Sequence, residues 1–202
     1  MDSTGELRKE GEAALARAQE LAPELPQTEM AHAVYLYYIQ LDFAGALAGM
    51  NKVTKALPGD SDAWLFAGYL ARRLGLWEQA ASALERARAL APNDALLAYH
   101  LGVTYVCLRQ CDRAMPSLDA ALNLQADNPA ALWVKLQCAW VEADLARADR
   151  MLAEQPLDTP GYISLLAMQA LFKRDYAQAS DLYRRAIANA GDIHIDLSLI
   201  HI

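Results

Sequence analysis

The sequence predicts an all-α chain built as a tandem array of helix–turn–helix units. Three observations lead there. A pattern recurs every 34 residues, small and apolar residues repeat at helical spacing within each half of it, and strand signals are missing. The recurrence is clearest at Gly68 and Gly102, in Asp62-Ala63-Trp64-Leu65-Phe66-Ala67-Gly68 and Tyr99-His100-Leu101-Gly102-Val103-Thr104-Tyr105. The second halves keep the same step, with Ala80, Leu84 and Ala87 returning as Ala114, Leu118 and Ala121. Ala46, Met50 and Val53 precede them, Ala148 and Leu152 follow, and Ala179, Tyr183 and Ala186 come after a step shortened by three residues. No alternating β-branched run and no Asn-Gly or Asp-Gly hairpin turn interrupts this pattern.

In chain order, Glu6–Ala22 reads as one helix closed by Pro23, so residues 6–26 form a partial unit or cap. Units are then expected over 27–60, 61–94, 95–128, a shortened 129–159, and 160–192. Asn128-Pro129 and Thr159-Pro160 each place a capping side chain before a proline at the first helical position. Asp60 or Ser61, and Asn93 or Asp94, are capping candidates for two more helices, each cap worth roughly 1 kcal/mol. Pro58, Pro92 and Pro156 fall where helices should stop. Pro116, early in a second helix, is expected to distort its first turn. The ending 193–202, Ile-His-Ile-Asp-Leu-Ser-Leu-Ile-His-Ile, is apolar and β-prone. Its last six residues resemble a translated sequencing adapter, so a non-native tail and a lost C-terminus are expected there.

This spacing resembles the tetratricopeptide repeat, a helix–turn–helix unit of the same length. The match is best over Ser61–Asp94, where Trp64, Gly68, Ala80, Leu84, Ala87 and Pro92 stand where the family has Trp, Gly, Ala, an aromatic or Leu, Ala and Pro. The resemblance covers nearly the whole chain. It implies a right-handed α-solenoid without a central core, each unit burying its apolar face against its neighbours. It also implies that the first helices line a concave face. Mapped onto this sequence, that face carries Ala31, Tyr35, Tyr38 and Ile39, then Asp62, Leu65, Tyr69, Arg72 and Arg73, then Leu96, Tyr99, Val103 and Val106. Trp133, Gln137, Trp140 and Val141 follow, then Ser164, Met168, Leu171 and Phe172. Tyr35, Tyr38, Tyr69, Arg72, Arg73, Tyr99, Trp133, Gln137 and Trp140 are the groove residues expected to hold a peptide or helix, since aromatic and arginine side chains make strong anchors. Trp64 and Trp77 match packing positions. The Lys and Asn that clamp a C-terminal carboxylate in some family members are missing: Ala31, Leu65, Tyr99 and Trp133 occupy the fifth positions, and no Asn occupies a ninth.

Composition narrows the function classes. An apolar share of 54% in 202 residues excludes a disordered chain. The net charge of −7 and a pI of about 5.0 argue against a nucleic-acid partner. No apolar run spans a bilayer and no signal peptide is visible, so a cytoplasmic protein without membrane insertion is expected. Three cysteines, Cys107, Cys111 and Cys138, fit reduced, structural thiols. His32 and His100 share a repeat position, which points to packing rather than to a metal. Phosphate-loop, dinucleotide, nucleophile-elbow and zinc-protease motifs are not found, so neither cofactor nor catalysis is expected. Glu78, Glu85, Asp112 and Asp119 read as solvated or dipole-compensating. The expected function is a non-catalytic adaptor or scaffold that binds a protein or peptide ligand in its groove. The alternative is the repeat region of a larger bacterial signalling protein, of serine/threonine kinase or adenylate cyclase type, with its catalytic part elsewhere.

Overall fold

The computed structural model describes residues 3–154 and 160–190. These residues form eleven α-helices and no strand. Two compact units share them, one ending at Ala126 and one beginning at Asp127. The first unit holds α1 (Ser3–Leu21), α2 (Pro26–Tyr35), α3 (Phe43–Ala56), α4 (Ser61–Arg73), α5 (Trp77–Leu90), α6 (Ala95–Cys107) and α7 (Cys111–Leu124). The second holds α8 (Pro129–Val141), α9 (Leu145–Ala153), α10 (Pro160–Phe172) and α11 (Tyr176–Ala190).

Small residues decide how closely the helices pair. A Cβ placed on Gly68 would meet Leu84 Cγ at 2.7 Å, and one on Gly102 would meet Leu118 Cγ at 2.6 Å. Glycine therefore recurs because α4 lies against α5, and α6 against α7, with no room for a side chain between them. Ala80, Ala87, Ala114 and Ala121 are fully buried on α5 and α7, as are Ala46 on α3 and Ala63 on α4. In the first unit Met50, Val53 and Leu70 fill the space between α2, α3 and α4. In the second, Ile163, Ala167, Ala170, Ala179, Leu182 and Ala186 pack α10 on α11.

The turns repeat as regularly as the helices. Leu41, Gly75, Arg109, Ala143 and Arg174 all take positive φ, between 56° and 71°. In sequence they are spaced by 34, 34, 34 and 31 residues, the same shortened last step. Leu76 N–H donates to Ala71 O at 2.9 Å and Gly75 N–H to Arg72 O at 3.0 Å, a left-handed C-terminal motif that satisfies helix-end carbonyls. Gln110, Asp144 and Asp175 repeat the longer bond, to Tyr105, Ala139 and Ala170.

Helix starts are capped where they were expected, and in further places. Asp60 Oδ1 accepts from Asp62 N–H at 2.9 Å and Ala63 N–H at 3.1 Å. Asp94 Oδ1 does the same for Leu96 and Leu97, and Asn128 Oδ1 accepts from Ala131 N–H. Asp42, Asp144 and Asp175 cap second helices in the same way. Thr159 and the segment 193–202 lie outside the described residues.

One expectation is corrected, and the helix that holds Pro116 is continuous. α7 runs through Cys111–Leu124 with Pro116 inside. Proline removes the bond to the carbonyl four residues back, at Asp112, which is exposed and open to water. Of the cysteines, Cys107 is free, whereas Cys111 and Cys138 are not free thiols. The cysteine count therefore gives no argument for a reducing compartment.

Candidate functional site

The first helices of the first unit carry a row of aromatic rings. It begins where α2 ends. Residues Leu36–Gln40 form a π turn, and Asp42 N–H reaches back to Leu36 O at 3.0 Å, one residue further than in the other turns. A π turn rotates the side chains it contains relative to a straight helix, and such turns often mark functional sites. Here it sets Tyr37 and Tyr38 side by side, ring centroids 4.6 Å apart. Tyr37 also packs on Phe43 and Phe66, and Phe66 leads to Tyr69 at 6.1 Å. From Tyr69 the row crosses to α6 through His100 at 4.6 Å and ends on Tyr99, 4.9 Å from that imidazole. Tyr38 is 64% exposed, and the other rings are half-buried.

Charge enters this row at the end of α4. The Arg73 guanidinium stands 6.0 Å from the Tyr37 ring, and its Nε donates to Tyr37 Oη at 3.1 Å. Arg72 lies over the Tyr69 ring at 5.5 Å. Burial raises the phenol pKa of Tyr69 and of Tyr99, with Arg72 partly opposing the rise at each. Burial, helped by the Arg72 charge, lowers His100 to about 4, so its imidazole is neutral at pH 7. Burial also raises the Cys107 thiol, again partly opposed by Arg72. Aromatic and partly dry, this surface offers apolar area, phenolic donors and the positive charges of Arg72 and Arg73, with Asp94 near enough for its charge to be felt at Tyr69 and His100. It brings together no nucleophile and base in catalytic geometry.

The nine expected groove residues divide as follows. Tyr38, Tyr69, Arg72, Arg73 and Tyr99 lie in or beside the row. Tyr35 faces α1 instead. Its Oη donates to Glu12 Oε1 at 3.3 Å, and with Ala31 and Ile39 it lines a cleft of about 340 Å³ between α1 and α2. In the second unit, Trp133 and Gln137 are half-buried on α8. Trp140 is only 7% exposed, stacked on Phe172 at 4.8 Å and touching Trp133 edge-on at 5.3 Å. Its Nε1 donates to Gln169 Oε1 at 2.7 Å. Gln169 Nε2 in turn donates to Leu145 O and Asp149 Oδ1, so this tryptophan is a packing element of its unit.

Sequence reasoning missed Tyr37, Phe66 and His100. Phe66 and His100 are one repeat step apart and precede Tyr69 and Val103 by three residues. An i, i+3 aromatic pair at Phe66 and Tyr69 was the available signal. Tyr37 carried none, because the π turn that positions it is invisible in a helical frame.

Comparison with known proteins places the fold. No protein-family model matches the sequence, and no curated protein matches it. Solved structures do match. The structure of YrrB, described as a tetratricopeptide-repeat protein with an unusual peptide-binding site, aligns at TM-score 0.64 and 22% identity over 89% of this chain and 93% of that one. PilF of Pseudomonas aeruginosa aligns at 0.69 and 15%, over 92% and 91%. TTC0263, a tetratricopeptide-repeat protein of Thermus thermophilus, aligns at 0.61 and 22%, over 87% and 95%. The chain therefore has the tetratricopeptide-repeat fold, an α-solenoid of tandem helix–turn–helix units. No helix among the described residues is long and apolar enough to cross a membrane.

Proposed function

We propose that this protein is a non-catalytic interaction module that binds a peptide or helix of a protein partner on the aromatic row of its first unit. The observation that carries the reading is the row itself. Six rings, from Tyr38 through Phe66 and Tyr69 to Tyr99, are held in register by the π turn after α2 and by α4 and α6, and are left partly open. Rings already packed against one another lose little entropy when a ligand covers them, which makes them efficient anchors. The peptide-binding site named for YrrB gives the reading a precedent on the same fold.

The test is a fluorescence and thermal-shift titration against a panel of amphipathic peptides, with Tyr38→Ala and Tyr69→Ala beside the parent chain. A saturable shift that weakens in both variants, with unchanged circular dichroism, supports the reading. Saturable binding indifferent to both, and weakened instead by Trp133→Ala, moves the site to the second unit. Absence of any saturable binding refutes it.

A further inference from the structure

Helix α1 differs from the rest of the first unit. Helices α2 to α7 each contain buried residues, whereas none of the α1 side chains described is buried. It lies on α2 without closing on it. A cleft of about 340 Å³ runs between the two, walled by Gly11, Leu15 and Ala18 from α1 and by Ala31, Tyr35 and Ile39 from α2. A Cβ built on Gly11 would meet nothing within 4 Å, where one on Gly68 or Gly102 would collide with the facing helix. Atoms across such a gap forfeit most of their dispersion attraction, so α1 gains little from lying there. A long bond ties the two helices, Tyr35 Oη to Glu12 Oε1 at 3.3 Å, and that oxygen also accepts from Arg8 Nε at 3.1 Å. The end of α1 is better fixed, since Thr28 Oγ1 donates to Ala22 O at 2.8 Å. Ala13, Ala14, Ala16 and Ala18, with the Arg8–Glu12 and Arg17–Glu20 pairs, favour helix within α1 itself. It is a tethered helix, loosely packed above its tether.

The face beneath α1 is the one that the next units leave open. One repeat step on from Ala31, Tyr35 and Ile39 stand Leu65, Tyr69 and Arg73, and a further step leads from Leu65 to Tyr99. Tyr69, Arg73 and Tyr99 lie in or beside the aromatic row. The row itself starts at Tyr38, next to Ile39 in the same π turn.

We infer that α1 is a self-docked cover: it occupies on α2 the face that continues the aromatic row, and a partner's helix takes that face when α1 lifts away. The inference rests on the peptide reading above and adds its regulation and the shape of its ligand. That ligand is an amphipathic helix with larger apolar side chains where α1 presents Gly11, Ala14 and Ala18. Such side chains fill the cleft and remove more apolar surface from water than α1 does. The tether keeps α1 at high effective concentration, so weak ligands do not displace it.

The probe is a peptide of the α1 sequence, Ser3–Leu21, carrying Gly11→Leu, Ala14→Leu and Ala18→Leu, with both ends blocked. Its binding is followed by fluorescence anisotropy to the parent chain, to Leu15→Lys, which loosens α1, and to Gly11→Leu, which fills the cleft and tightens it. Circular dichroism checks the folding of each. Affinity should rise at least about threefold in Leu15→Lys and fall by a similar factor in Gly11→Leu, because apparent affinity scales with the fraction of chains whose face is open. Bound probe should also speed hydrogen exchange of the α1 amides while slowing that of α2. Equal affinity for the three chains, with loss in Tyr69→Ala, overturns the cover and leaves the peptide reading standing. Affinity lowered by both α1 variants puts the probe between the two helices and overturns the cover as well, as does α1 exchange unchanged at saturation. Absence of saturable binding to any chain, Leu15→Lys included, overturns both readings.

Discussion

Replacing Gly102 by alanine should destabilise the first unit, although alanine is the better helix former. The added Cβ would lie 2.6 Å from both Cγ and Cδ2 of Leu118. Carbon atoms in contact prefer about 3.5–4.0 Å, so Leu118 would have to give by roughly 1 Å. Leu118 is fully buried in α7 and has no open side to move toward. Overpacking of this kind costs about 1–3 kcal/mol, and the helix preference of alanine over glycine returns about 0.8–1.0 kcal/mol. The expected net loss is about 1 kcal/mol. Gly11→Ala is the control: its Cβ meets nothing within 4 Å on α1, so the same substitution should raise local stability there by up to about 1 kcal/mol. Leu118→Ala alone should cost about 2–5 kcal/mol, and the double variant less than the sum by about 1 kcal/mol or more, because the shortened side chain makes room for the new methyl. Repeat arrays unfold in parts, so the measurement is native-state hydrogen exchange of the α6 and α7 amides rather than a single melting temperature. If Gly102→Ala stabilises as Gly11→Ala does, or the double variant is additive, close approach is not the reason for the recurring glycine.

Three further outcomes follow from the same geometry. His100 is neutral in the folded state with a pKa of about 4, below the ordinary 6.5, so the unfolded chain binds its proton first. Stability is full above pH 6.5 and falls as pH drops toward 4, by at most about 3 kcal/mol and less for the share of the ring that touches water; His100→Gln should flatten that part of a pH series of urea melts. Gln169→Leu should destabilise the second unit by about 1–3 kcal/mol, because the buried Trp140 Nε1 loses its acceptor; a tryptophan emission unchanged in wavelength and in denaturant midpoint would contradict this. Arg109 sits at φ 58°, where Gly75 sits at 71° one repeat step earlier. Arg109→Gly should therefore gain about 0.5–1 kcal/mol and Gly75→Ala lose a similar amount in chemical melts, since left-handed backbone penalises a Cβ.

The sequence by itself determined the architecture. Its 34-residue step through Gly68 and Gly102, its small residues at Ala80, Ala87, Ala114 and Ala121, and its capping acids at Asp60 and Asp94 are local signals, each acting within a few turns of helix. A repeat buries its face against its nearest neighbour, so short-range pattern is enough to specify it. The site was only partly legible. Tyr38, Tyr69, Arg72 and Tyr99 were expected in a groove from the family's concave-face positions, and the structure gathers them in or beside one row. Tyr35 was turned to α1, and Trp140 was drawn into the interior by Gln169 and Phe172. Tertiary structure alone decided those, and it alone revealed the π turn that brings Tyr37 to Tyr38 and the contrast between a partnered Arg73 and an unpartnered Arg72. The physical reason is the same in each case. Helical periodicity says which way a side chain leaves its own helix, but which neighbour meets it, and whether its charge finds a partner, depends on residues far away in the chain.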